Sequence, residues 1–405
     1  MYITQNGSGS AKGTDWNNAC AGFTGVCAGS SLKRDTTYFL ATGTYAGATL
    51  SAPASGTSLI IIRKAIATDH GTDAGWTSAM GVGQAVFNKQ INVTTSHWLI
   101  DGQVGGGPGN WSNGHGIKVV VTSASPAIAV NMSQFSATAS NITFSHIETV
   151  GNGGSNQGGG GIANDAYAFY GNASFIRVSY AYSHDMGRCH IFSSGQNITV
   201  EYSHFGKYKS SAATHAESFS IDPQLGSAVR DWTVSNNLFT HVEGTGGVMF
   251  NGQGMAFYGN VFYRAPGETW ESGNGLVGGW TGANGEVMKN FLVYNNTFIN
   301  INTTVLGTLP TTVSGNAAWN NLFYNTTAPN FAKFSSHDYN HFISAGGVSG
   351  EVHGSTGSGD PFVNYANLDF RLKANTPGGF DLGATYKMGP LRKNRATWSR
   401  GAYEF

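Results

Sequence analysis

Apolar residues recur in this chain as pairs flanking a short polar turn: Val234-Ser-Asn-Asn237-Leu-Phe239, Phe257-Tyr-Gly-Asn260-Val-Phe262, Val293-Tyr-Asn-Asn296-Thr-Phe298 and Ala318-Trp-Asn-Asn321-Leu-Phe323. Each segment predicts two strands meeting at a sharp corner, where Asn tolerates the left-handed backbone that Val or Phe resists. The four Asn are 23, 36 and 25 positions apart, a spacing suited to the rungs of a solenoid. Stacked rungs would set these side chains in an Asn ladder, amide bonded to amide. Ser58-Leu-Ile-Ile-Ile-Arg63, Ser96-His-Trp-Leu-Ile-Asp101, Ile142-Thr-Phe144, Ile176-Arg-Val178 and Ile198-Thr-Val200 predict further strands. No stretch sustains a helical period, and only Asp15-Trp-Asn-Asn-Ala-Cys20-Ala predicts a helical turn or two. The extra residues of the longer rungs fall after the strand that follows the Asn corner, in Gly151–Gly161, Gly206–Thr214 and Pro266–Gly275. Those loops would wall one flank of a parallel sheet and make a groove, where function in repeat proteins resides.

Composition narrows the class. The 405 residues read as one domain, with an N-terminal cap over 1–57, rungs over 58–345 and closing rungs over 346–405. Gly at 58 residues with charged residues at only 11% favours tight turns and short strands, and 24 Phe, 17 Tyr and 9 Trp supply a continuous core. With 22 basic and 22 acidic residues no global field favours nucleic acid or an anionic membrane, and no apolar run is long enough for a membrane span. Met1-Tyr-Ile-Thr opens on a strand pattern with no leader, so a secreted or extracellular address implies a leader removed or another export route. Cys20 and Cys27 are spaced to bridge a short loop, and Cys189 reads as a small buried apolar residue.

Tyr2-Ile-Thr-Gln-Asn-Gly-Ser-Gly-Ser, Gly13-Thr-Asp-Trp16-Asn-Asn-Ala and Tyr38-Phe-Leu-Ala-Thr-Gly-Thr-Tyr45 open the chain; Asp360-Pro-Phe-Val363, Asp369-Phe-Arg-Leu372, Thr376-Pro377 and Arg400-Gly-Ala-Tyr-Glu404 close it. On these segments the chain resembles, over its whole length, the right-handed parallel β-helix proteins of the pectin-lyase-like fold. The resemblance implies an all-β, single-stranded right-handed parallel β-helix with an N-terminal cap. It is specific for fold only: the group includes polysaccharide lyases, glycoside hydrolases, epimerases, esterases, phage tailspikes and adhesins. The paired-aspartate motifs of polygalacturonase-type hydrolases do not occur in order, and Gly114-His-Gly116 reads as a turn.

Ionisable residues concentrate between His184 and Asp222: His184, Asp185, Arg188, His190, Glu201, His204, Lys207, Lys209, His215, Glu217 and Asp222. In a charge-poor chain such crowding beside long loops marks the candidate site, because neighbouring charges shift one another's pKa. Burying Cys189 and Ile191 would turn Arg188 and His190 outward. Simple alternation from Phe219 and Ile221 would bury His215 and Glu217, unless the backbone bends before Phe219; the loop entering there favours the bend. Elimination on a uronic-acid chain needs a carboxylate clamp, a base and an acid, often with a hard cation. Arg188 suits the clamp, His215 or Lys209 the base and Tyr208 the acid, with His190 and Glu217 beside them. Lys207, Asp185, His241, Glu243, Asn251, Trp270, Trp280 and Tyr170 would extend the groove toward a polysaccharide. Glu217, Asp222 and Glu243 are the candidates for Ca2+, although no calcium-loop motif accompanies them. The expected function is a polysaccharide lyase acting by β-elimination. The alternatives are a glycoside hydrolase pairing Glu217 with Asp185 or Asp222, and a glycan-binding adhesin or tailspike-like protein without catalysis.

Overall fold

Strand alternation fixes what faces the core. In the strand Ser140–Ser145, Ile142 and Phe144 point inward and Thr143 outward, and the register carries this parity from rung to rung: Trp98 pairs with Ile142, Ile142 with Ile176, Ile176 with Ile198, Ile198 with Trp232 and Trp232 with Met255. The computed structural model describes residues 1–122, 128–132, 139–151, 164–169, 171–206, 217–223, 228–242, 246–268, 275–279, 288–306, 314–383 and 398–403. Among these, three long sheets are wholly parallel: sheet A with 13 strands, sheet B with 12 and sheet C with 8. From Thr36 to Gly278 the chain visits A, B and C in turn, so each sheet takes every third strand, and the described strands from Lys289 to Ile343 alternate between A and B: a parallel β-helix.

The interior is a stack of like side chains. Sheet B contributes Phe205, Phe239, Phe262, Phe298, Phe323 and Phe342 in register. Ring centroids lie 4.4 Å apart for Phe239 and Phe262, 5.2 Å for Phe298 and Phe323, and 5.3 Å for Phe323 and Phe342. Such offset pairs add about 0.5–1.5 kcal/mol each to the burial of the rings.

The A-to-B corners hold two residues on most rungs, and the sequence pattern places them correctly but misassigns the backbone strain. The left-handed residue is the first of the two, at Asn236, Gly259, Asn295 and Asn320, with φ of 56°, 67°, 54° and 58°. The second, the Asn of the repeat, bonds along the axis. Asn237 Nδ2 donates to Asn260 Oδ1, Asn260 Nδ2 to Asn296 Oδ1 and Asn321 Nδ2 to Asn340 Oδ1 at 3.0 Å, and Asn296 Nδ2 to Asn321 Oδ1 at 3.1 Å. Each Oδ1 also accepts the backbone N–H of the Asn one rung before. One end of this row is Ser203, whose Oγ accepts the Ala181 N–H, and the other is Glu351, whose carboxylate takes both the N–H and the Nδ2 of Asn340.

Coiling starts earlier than the apolar pattern suggests. Thr36–Leu40, Gly43–Tyr45 and Ala48–Leu50 already form a full turn in sheets A, B and C, ahead of Ser58. Tyr2–Thr4 pairs with both Cys20–Ala21 and Thr36–Leu40 in sheet A, beside a 3-10 turn at Trp16–Asn18 and a Cys20–Cys27 disulfide. At the far end the coil closes with Ser355–Gly357 in sheet B. Phe362–Asn364 and Asp369–Leu372 then form an antiparallel hairpin, so they are not rungs. Phe362, Phe370 and Leu372 join Leu238, Val261 and Leu322 in an apolar layer on the outer face of sheet B.

The long connections fall at the B-to-C corner as expected: Val150 to Asp165, Phe205 to Glu217 and Tyr263 to Val277. Two further insertions, 65–84 and 102–116, occupy A-to-B corners. No described helix is long and apolar enough to cross a membrane.

Candidate active site at the B-to-C corner

Register on sheet C brings chemistry from separate rungs together. Asp165 lies beside Cys189, while Ile191 pairs with Phe219, which places Glu217 on the next rung. Arg188 Nε donates to Asp165 Oδ1 at 2.8 Å, Nη2 bonds Asp165 Oδ2, and the Cys189 N–H reaches Asp165 Oδ1 at 3.2 Å. The guanidinium lies 4.1 Å over the Phe192 ring and keeps 27% of its side-chain surface exposed. Burial pushes the Asp165 carboxyl up, and Arg188 pulls it part of the way back. Burial, then the Asp165 and Glu217 carboxylates, drives the Cys189 thiol well above its ordinary range, so it stays a neutral, unreactive thiol.

Sheet C departs from the expected open floor. Asp165–Phe169, Glu217–Ile221 and Gly246–Phe250 are buried at every position, on both faces. Small residues accompany this at Ala166, Ala168, Ser218, Ser220 and Gly247, Ala166 itself packing in the interior cluster. His190 is fully buried rather than outward: Nδ1 is bonded to Ser183 Oγ at 2.7 Å and Nε2 to the Gly206 carbonyl at 2.9 Å, against Phe205. Desolvation lowers its pKa to about 3, which unfits it as a base near neutrality. Glu217 is 5% exposed rather than presented to solvent, since its strand is buried at every position through Ile221.

The other candidates separate. Asp222 and Asn251 meet at the opposite end of their strands, Asn251 Nδ2 donating to Asp222 Oδ1 at 2.8 Å. A five-residue strand, about 16 Å by its rise, divides Asp222 from Glu217. Neither a shared cation nor a hydrolytic pair fits that separation. Among the described residues no three His, Cys, Asp or Glu converge as metal ligands. His241 Nδ1 donates to Glu268 Oε1 at 3.0 Å on the same flank as the long connections. Lys207, Tyr208, Lys209, His215, Glu243, Trp270, Trp280 and Tyr170 lie outside the described residues.

Next to Asp185 stands a network the residue pattern did not single out. His184 Nδ1 bonds Asp185 Oδ2 at 2.7 Å and Nε2 bonds Glu148 Oε1 at 3.2 Å. Glu148 also accepts Lys118 Nζ and Gln84 Nε2, each at 2.7 Å. Burial pushes the Glu148 carboxyl up, but these three donors outweigh it and hold it at about 2. Lys118, Glu148, Tyr182 and His204 are consecutive partners in sheet B. Aligning rungs on their corners rather than on charge density would have revealed them.

No protein-family model and no curated protein matches this chain. Among solved structures, pectate lyase Pel9A matches with a TM-score of 0.55 at 13% identity, covering 100% of this chain and 96% of that one. A mannuronic acid specific polysaccharide family 6 lyase from human gut microbiota gives 0.45 at 11% identity, covering 89% and 82%. The PL6 family alginate lyase AlyGC gives 0.40 at 13%, covering 81% and 51%. At such identities the likeness concerns architecture: the chain has the right-handed parallel β-helix fold that pectate lyase Pel9A displays along its length.

Proposed function

We propose that this protein is a secreted polysaccharide lyase that binds a uronic-acid-containing glycan along the B-to-C corner and cleaves it by β-elimination. One observation carries the reading. Arg188, a cation fixed by a fully buried Asp165 and by the Phe192 ring, stands where three long connections of the coil enter sheet C. A preorganised guanidinium is the group that recognises a carboxylate and stabilises the charge developing on it when the carbon 5 proton is removed. In the proposed step a base takes that proton, the carbon 4 to oxygen bond breaks, a double bond forms between carbons 4 and 5, and an acid protonates the departing oxygen.

His215 or Lys209 is assigned as base and Tyr208 as acid. In sequence all three fall between Phe205 and Glu217, in the connection that leads into the sheet C strand after the one Arg188 precedes. Asp185 and His241 extend the site along the same flank, with Lys207, Glu243 and Trp270 from the connecting segments; Tyr170 and Trp280 follow sheet C strands in sequence, as Asp222 and Asn251 do, and are not assigned to it. The likeness to a pectate lyase supports this choice over hydrolysis. So does the separation of Glu217 from Asp222 and the commitment of Asp185 to His184.

Incubation with polygalacturonate, alginate and neutral glycans, read by ultraviolet absorbance of the new double bond and by reducing ends, tests the reading. The proposal requires both signals on a polyuronate. Reducing ends without absorbance would indicate a hydrolase, and binding without either signal a non-catalytic protein.

A further inference from the structure

The connection 102–116 crosses the outer face of sheet B. Trp111, 4% exposed, joins the apolar layer that includes Leu238 and Val261, and Ser112 Oγ bonds His204 Nδ1 at 2.8 Å. His204 in turn bonds Thr240 Oγ1 through Nε2 at 2.8 Å and stacks on Tyr182 with ring centroids 4.8 Å apart. His115 is 1% exposed beneath the connection, and neither ring nitrogen makes a well-formed hydrogen bond, the Tyr180 carbonyl being the acceptor beside it. Within the segment the backbone bonds are Asn110 N to Gly107 O and Gly116 N to Val104 O; its ends are tied to the adjacent rungs by the Gly102 N–H to Ser145 O, the Ala85 N–H to Gly116 O and Gln84 Nε2 to His115 O. Gly106 lets it lie close, since a Cβ there would stand 2.3 Å from the Tyr180 oxygen. Five glycines between 105 and 114 have positive φ, so opening returns considerable backbone entropy.

We propose that residues 102–116 form an acid-released strap: protonation of His204 and His115 lifts it from sheet B and uncovers Tyr182, His204 and Leu238 while the coil beneath stays folded. The driving force is desolvation. A protonated His204 keeps both hydroxyl partners, but its charge is sealed from water, and raising the strap is the shortest route to solvation. His204 faces His115, His184 and His190, each of which opposes a charge there. His115 faces Glu148, which favours its charge, and His146 and His184, which oppose it, with Tyr182 as its ring neighbour. Burial dominates in both, holding His204 to about 3 and His115 to about 4.

Hydrogen–deuterium exchange on the intact chain tests this at about pH 7 and about pH 4.5, corrected for intrinsic exchange; two units below an unfolded value of 6.5, each histidine biases opening by up to about 100-fold. Exchange across 103–116 should rise at least about tenfold, while the sheet A strands 140–145 and 174–179 keep their protection. His204→Gln with His115→Gln should abolish the rise, since amides keep hydrogen-bonding capacity without titrating. If the double variant does not fold, His204→Gln alone should reduce it. Unchanged strap exchange at low pH, simultaneous loss of sheet A protection, or a full response in folded variants would each overturn the proposal.

Discussion

Asn296→Ala interrupts the row of buried amides at its centre. Asn296 is wholly buried; its Oδ1 accepts both the N–H and the Nδ2 of Asn260, and its Nδ2 donates to Asn321 Oδ1 and the Phe257 carbonyl. Alanine leaves the Asn260 N–H without its acceptor. Asn260 Nδ2 retains the Val234 carbonyl, and Asn321 Oδ1 still accepts the N–H of residue 296. One orphaned buried donor costs about 1–3 kcal/mol, and lost bonds to four partly satisfied groups, the Tyr294 carbonyl among them, with a small cavity bring the total to about 3–4 kcal/mol. Asn296 itself does not occupy the left-handed corner position, so relief of backbone strain does not offset the loss. Urea unfolding followed by far-ultraviolet circular dichroism and by tryptophan fluorescence measures this. A loss below about 0.5 kcal/mol, the range of an ordinary surface change, would refute the assignment of stability to this row.

Further outcomes follow from the same geometry. Glu351→Ala removes the carboxylate that ends the row and should cost about 2–3 kcal/mol in the same assay, whereas Glu351→Gln should cost less because its carbonyl still accepts one Asn340 donor. His190, His204 and His115 have folded pKa values below the ordinary 6.5, so the unfolded chain binds protons first as pH falls. Stability is fully present above 6.5 and declines by up to about 1.4 kcal/mol per histidine per pH unit below it, until each folded value is reached. Calorimetry should show the melting temperature falling across that window, and a flat profile would contradict the burial argument.

Much of the architecture is written in short patterns. The Asn corners and the Ile142-Thr-Phe144 type of alternation specify strands, faces and rung spacing, because period-two burial and corner chemistry are local properties. The segment 1–57 is less legible, since Thr36–Leu40 to Ala48–Leu50 form a complete turn without an Asn corner. The site is read least well. Charge density pointed to His190 and Glu217, yet packing buries sheet C strands at every position and withdraws both from solvent, a tertiary effect no single strand encodes. Asp165, Lys118 and Glu148 lie outside the charged cluster in sequence and reach it only through register. Tyr180 and Tyr202 take the left-handed corner position, with φ of 52° and 51°, that Asn and Gly fill elsewhere, and stack upon each other at 5.3 Å. Their stacking hides these corners from a search for Asn.

The most direct test of the central claim is a crystal structure of the catalytically impaired His215→Ala protein with a bound uronate oligosaccharide. Sugar should lie along the B-to-C corner with one carboxylate in hydrogen-bonding reach of Arg188. Sugar bound elsewhere on the rod, with Arg188 touching only Asp165 and Phe192, would contradict it.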